Sequence, residues 1–180
     1  MQPFVTLSGV AVPLDEANLG PTRFNKVPKG PRFAQILLHD RRFGIDGSEK
    51  PDYILNQKPY RHAVIAVAGR NFGVGSSRET AVFVLIGFGI RSVFAPSFGD
   101  IFFNNSLKNG LLPVRLPAAT VDTLMRQLLD QCGFVNLDNV GGDLSGADSD
   151  RAIFLPRPRV SHSKISYERC TLDGVLTNRR

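Results

Sequence analysis

The order of apolar and polar positions divides the chain into short strands and helices joined by Gly- and Pro-rich connections. Residues 4–12 alternate loosely and read as a first strand, closed by Pro13. Residues 15–32, rich in Gly, Pro, Asn and Lys, read as a loop. Residues 33–38 are a short apolar run of either helix or strand type. Residues 44–58 are polar and turn-prone, with Tyr53, Ile54 and Leu55 placed to pack on the core. Residues 62–68 have the length and β-branched content of a buried strand. Residues 76–88 then predict a helix. Ala81, Val82, Val84, Leu85 and Phe88 leave it almost no polar face, so it should be well buried. Gly87 and Gly89 end it. Residues 91–95 predict a second buried strand, 98–109 a helix stopped by Gly110, and 112–116 a third strand. Residues 118–132 form an amphipathic helix with Val121, Leu124, Met125, Leu128 and Leu129 on one side. Residues 134–137 read as a short strand, 139–150 as a Gly/Asp hairpin connection, and 152–155 as a further strand.

Strand, helix, strand, helix, strand through the middle of the chain is the signature of an α/β fold. It predicts a mostly parallel central sheet flanked by helices, with right-handed crossovers. The 180 residues, 42% apolar, suit one ordinary domain with a real core. We assign that domain to residues 1–156. Residues 157–180, polar and basic, are expected to form a partly disordered tail.

The formal net charge is +6, but the basic residues are scattered apart from Arg157, Arg159, Arg179 and Arg180. A nucleic-acid surface would need them in a stripe with stacking aromatics. The balance fits a solvated basic surface suited to anionic small molecules or an acidic partner. Only Cys132 and Cys170 are present. That is too few for an iron–sulfur cluster held by this chain alone. Their separation also argues against a zinc site, so no bound metal is expected. No disulfide framework is implied, which points to a reducing cytoplasm. No basic-then-apolar secretory signal and no run near the roughly 20 apolar residues of a membrane span is visible.

The candidate chemistry lies at residues 69–81, which read Gly-Arg-Asn-Phe-Gly-Val-Gly-Ser-Ser-Arg-Glu-Thr-Ala. Two glycines free the backbone, two hydroxyls follow, then a guanidinium. Placed between a strand and a helix start, this run suits an anion. A small carboxylate could take backbone N–H groups, a serine hydroxyl and the bidentate fork of Arg78. Ser76 and Glu79 have capping-box spacing. Arg78 in a first helical turn opposes the macrodipole, which implies an anionic ligand or a salt bridge to Asp100 or Glu79. Ser97 and Asp100 read as caps of the next helix. Asn104 and Asn105 face either the cleft or solvent, and His39 and His62 read as structural or surface groups.

Three segments in order resemble the small subunit of 3-isopropylmalate dehydratase, the swivel domain of the aconitase superfamily. They are residues 67–81, residues 95–106 (Ala-Pro-Ser-Phe-Gly-Asp-Ile-Phe-Phe-Asn-Asn-Ser) and residues 109–114 (Asn-Gly-Leu-Leu-Pro-Val). Weaker similarity runs through residues 10–18 and 39–43. The resemblance implies a swivelling β/β/α fold and a partner large subunit carrying a [4Fe–4S] cluster. It implies a dehydration and rehydration that moves a hydroxyl between adjacent carbons of a dicarboxylic acid in leucine biosynthesis. It further implies catalytic roles for Ser76 and Ser77, with the first of the pair as the base. Arg78, with Gly75 and Asn71, would bind substrate.

The chain departs from the family pattern in three places. The family's Asp-Thr-Asp-x-Ile-Ile-Pro stretch is replaced near residues 19–26 by Leu-Gly-Pro-Thr-Arg-Phe-Asn-Lys. Val74 and Thr80 stand where the family has Cys and His. The family's C-terminal motif survives as a hint at residues 169–176. These departures keep two alternatives open: a catalytically impaired paralogue acting as an assembly or regulatory module, or a related hydro-lyase subunit for a citraconate- or homoaconitate-type dicarboxylate.

Overall fold

The structure, a computed structural model, describes residues 6–22, 33–130, 133–138 and 165–169. A six-stranded sheet forms its centre. The strands are β1 (Thr6–Leu14), β2 (Ile65–Ala68), β3 (Ser92–Ala95), β4 (Leu112–Arg115), β5 (Gly133–Asp138) and β6 (Ile165–Arg169), in the spatial order β4-β3-β2-β1-β5-β6. The first four run parallel, and β5 and β6 are antiparallel to their neighbours. Helices α3 (Thr80–Phe88) and α4 (Asp100–Lys108) connect β2 to β3 and β3 to β4, and α5 (Ala118–Asp130) follows β4. Two short helices, α1 (Phe33–Ile36) and α2 (His39–Arg42), and two 3₁₀ turns, Ile54–Asn56 and Lys58–His62, fill the long β1–β2 connection. Among the described residues no helix is long and apolar enough to cross a membrane.

The alternation of side chains along each strand builds two cores. Ala11, Ile65, Val67, Phe94, Leu112 and Val114 face α5, which contributes Val121, Leu124, Met125 and Leu128. Their neighbours Val12, Leu14, Ala66, Ala68, Val93 and Ala95 face the opposite way, onto Ala81, Val82, Val84 and Leu85 of α3. Three of those six are alanines, which lets the almost wholly apolar α3 sit close. Leu37, Leu55, Phe72 and Phe102 complete this second core, and Tyr53 and Ile54 pack at its edge as the sequence predicts. Burying both faces of a parallel sheet is the usual solution for such strands.

Several boundaries shift for identifiable reasons. β1 continues through Pro13 to Leu14 rather than stopping at Pro13. The β5 partnership ends at the pair Ala11–Gly133, so the missing N–H of Pro13 falls where β1 has a neighbour on one side only. Residues 62–64 precede β2, because 58–62 close a 3₁₀ turn. Leu129, read as part of the buried stripe of α5, is 55% exposed. It lies about 100° around the helix from Leu128, off the sheet-facing side. β6 falls within the segment read as a tail, where backbone pairing with β5 makes it the sheet edge. Cys132, Cys170, the residues 139–150 and 152–155 and the rest of 157–180 lie outside the described residues.

One polar cluster is buried. The Arg42 guanidinium lies over the rings of Phe43 and Phe88, 5.0 and 5.1 Å from their centroids. Its Nε donates to Asn56 Oδ1 at 3.0 Å, and Asn56 Nδ2 donates to the carbonyls of Arg42 and Lys50 at 2.7 and 2.9 Å. Burial lowers the Arg42 pKa from its ordinary value, and Glu49 partly offsets that.

Candidate active site

Three loops leave the carboxyl ends of β1, β2 and β3 side by side, the usual binding edge of a parallel sheet. The middle loop, after β2, carries the predicted chemistry. Gly69 starts it against the β1 loop, where a Cβ would lie 2.5 Å from the Glu16 carbonyl oxygen, so no other residue fits. The loop is then bonded on both sides. Arg70 accepts from the Asn18 N–H at 2.9 Å, and Gly73 donates to Leu19 at 2.8 Å. Phe72 donates to Ser97 at 3.0 Å and accepts from Gly99 at 2.9 Å. Beneath it, Phe72 packs edge-on against Phe102, which stacks on Phe98.

Two successive turns follow. Val74 donates to the carbonyl of Asn71 and Ser76 to that of Gly73, both at 3.2 Å. Gly73 and Gly75 take φ of 78° and 77°, the left-handed region that favours glycine. These turns keep Ser76 and Ser77 out of the helix. α3 starts at Thr80 with Glu79 at the N-cap and no side-chain cap, so the predicted capping box is absent. Glu79 Oε1 instead accepts from Asn109 Nδ2 at 3.3 Å, linking the loop to the end of α4.

The result is a set of unsatisfied groups at one point. Ser76 is half-buried, and Ser77 and Arg78 are exposed. Among the described residues none of the three side chains has a hydrogen-bond or ion-pair partner, and the expected Arg78 salt bridge to Asp100 or Glu79 is not formed. The backbone N–H groups of Ser77, Arg78, Glu79 and Thr80 likewise have no acceptor among the described residues. Unpaired N–H groups before a helix, with Arg78 in the same run, are the kind of donors that an anion takes. Among the described residues, none beyond its chain neighbours lies within 4 Å of where a Gly75 Cβ would stand.

The family model for the aconitase C-terminal domain matches residues 1–119. The 3-isopropylmalate dehydratase small subunit of Paramagnetospirillum magneticum is 49% identical over 97% of this chain and 87% of its own length. That of Nitrobacter hamburgensis is 40% identical over the same shares.

The chain belongs to the aconitase C-terminal domain family, among the small subunits of 3-isopropylmalate dehydratase.

The Gluconacetobacter diazotrophicus small subunit is 50% identical over 69% of this chain, and the match spans 63% of that relative's length. A solved 3-isopropylmalate dehydratase from Methanocaldococcus jannaschii has the same fold. It superposes with a TM-score of 0.52 at 25% identity, over 74% of this chain and 71% of its own. The small-subunit family thus shares the α/β architecture that holds the Gly-rich loop here.

Asn71 behaves differently from the other predicted site residues of this family member. Its amide is already engaged: Nδ2 donates to Asn18 Oδ1 at 3.0 Å, and Oδ1 accepts from the Ser97 hydroxyl at 2.9 Å. Ser97, predicted as a helix cap, is therefore a loop bridge, and α4 begins after Gly99 with no side-chain cap. Sequence reasoning gave Asn18 no role beyond its place in the similar stretch 10–18. Its one local signal is an asparagine just past a strand end, a residue type that tolerates left-handed backbone.

Proposed function

We propose that this chain is the small subunit of a hydro-lyase interconverting 2- and 3-isopropylmalate in leucine biosynthesis, acting in the cytoplasm together with a large subunit. The observation that supports it most is the unpartnered Ser76-Ser77-Arg78 run at the carboxyl ends of the parallel strands. Arg78 clamps a substrate carboxylate through its two-pronged guanidinium. The free amides of residues 77–80 add donors, and Gly75 lets the substrate approach the backbone. Ser76, as its alkoxide and with Ser77 beside it, takes the proton α to that carboxylate and becomes the hydroxyl. The hydroxyl on the adjacent carbon leaves, the C=C bond forms, and water then adds back with H and OH exchanged between the two carbons.

A serine hydroxyl is a weak base at neutral pH and needs surrounding positive charge to act as one. Arg78 and the start of α3 provide it. The [4Fe–4S] cluster of this reading is assigned to the large subunit. Two cysteines are too few to ligate it here. Among the described residues no group of His, Cys, Asp and Glu is arranged to hold a metal.

Arg78→Lys tests the reading, assayed on 3-isopropylmalate with the large subunit present. Lys keeps the charge but loses the fork, so kcat/KM should fall about 10²- to 10³-fold while the melting temperature holds. Near-normal turnover would refute the site. Activity on citraconate-type acids alone would move the substrate and leave the site standing.

A further inference from the structure

The loops after β1, β2 and β3 are joined by side chains as well as by backbone. Asn18 follows β1, Asn71 follows β2 and Ser97 follows β3. The Ser97 hydroxyl accepts from the Asn71 N–H and donates to Asn71 Oδ1, both at 2.9 Å. Asn71 Nδ2 then donates to Asn18 Oδ1 at 3.0 Å. In this arrangement Asn71 Oδ1 faces the Ser97 hydroxyl and its amide nitrogen faces Asn18.

We infer that Asn18, Asn71 and Ser97 are positioning residues for the reaction: a clasp that sets where Ser76, Ser77 and Arg78 stand. The inference rests on the reading of those three residues given above. Only Phe72, Gly73, Val74 and Gly75 separate the clasp from Ser76. The backbone bonds of Phe72 and Gly73 to the same two neighbouring loops hold the start of this stretch, and the clasp at residue 71 adds the side-chain part of that anchor, from which Val74 and Gly75 lead to the serines. Asn18 and Asn71 are themselves left-handed, with φ of 58° and 56°. Asparagine meets both demands, tolerating that backbone and offering an amide. Glycine would meet only the first, and aspartate would lose the donor toward Asn18.

Asn18 and Asn71 are exposed and Ser97 half-buried. Hydrogen bonds at such a rim add little to stability, since water can replace either partner. Their effect is positional, and a shift of about 1 Å in a reacting group can cost about 10²-fold in rate.

Three variants separate position from stability: Asn71→Gly, which keeps the backbone and removes the amide, Ser97→Ala, and Ser97→Thr, which restores the hydroxyl. Each is assayed with the large subunit on 3-isopropylmalate, beside Arg78→Lys. Asn71→Gly and Ser97→Ala should lower kcat about 10- to 100-fold with little change in melting temperature. Ser97→Thr should recover most of the rate. The double variant should be no worse than the poorer single one, because both break the same clasp. Full kcat in Asn71→Gly and Ser97→Ala, with Arg78→Lys inactive, overturns the clasp and leaves the site reading intact. So does a Thr variant as slow as the Ala one, or rates that fall only in step with melting temperature. An active Arg78→Lys overturns the site reading, and the clasp with it. If Asn71→Gly fails to fold, the Ser97 pair decides alone.

Discussion

Gly73 sits with its α-carbon against the ring of Phe102, in the first turn of α4, so closely that a Cβ there would overlap the ring. Gly75, two residues on, has almost the same φ, but among the described residues none beyond its chain neighbours comes within 4 Å of its would-be Cβ. The pair therefore separates backbone strain from overlap. Gly75→Ala should cost about 1–2 kcal/mol, the penalty of left-handed backbone alone. Gly73→Ala adds overpacking of a buried aromatic, for a total of about 3 kcal/mol or more. Urea unfolding of both variants would show the difference, and equal costs would contradict it.

Ser76→Ala distinguishes a helix cap from a loop group. A cap lost to alanine costs about 1 kcal/mol. Ser76 caps nothing, because α3 starts at Thr80. The change should leave stability within about 0.5 kcal/mol of the parent, as for an ordinary surface site. Activity with the large subunit should nonetheless collapse.

Asn56→Ala removes the acceptor of Arg42 Nε and the donor shared by two carbonyls. Leaving such buried groups unpaired should cost about 2–4 kcal/mol. Chemical denaturation would measure it, and a cost under about 1 kcal/mol would mean that water reaches the site.

Half-burial pushes the Tyr53 pKa up to about 12, with Glu16 adding to the shift and Arg41 opposing it. The folded state thus favours the neutral phenol. Its contribution to stability is complete below the ordinary tyrosine value near 10 and is lost as pH rises toward 12. Tyr53→Phe should flatten the stability profile in that window. A phenolate absorbance titration of parent and variant should show that the substitution removes a late-ionising phenol.

These results show which parts of the molecule were legible in the sequence. The core strands were, as short unbroken apolar runs such as the one holding Val93 and Phe94; α3 was, as an almost wholly apolar stretch closed by Gly89; α5 was, through the 3.6-residue period of Val121, Leu124 and Leu128. The Gly-Ser-Ser-Arg run was legible as a loop between a strand and a helix start, which is where β2 and α3 place it; the anion chemistry read there is what we propose for it. The start of α3 was misread because Ser76 and Glu79 have the spacing of a cap, while the turns at Gly73 and Gly75 use up the residues before it. The role of Ser97 was hidden for another reason. A partner 26 positions away leaves no trace in a local pattern.

β1 lies inside the sheet, between β2 and β5, and its register runs from Thr6 opposite Asp138 to Leu14 opposite Ala68. Contacts that distant in sequence close late and slowly during folding. The strand that anchors the Asn18 loop is therefore among the last elements to gain its full set of neighbours. A chain still being synthesised can hold the Gly-rich loop on β2 and β3 well before β5 is available. The loop-bearing edge of the sheet would then exist in outline, with the strand beneath Asn18 paired on one side only, until the β5 residues had been made.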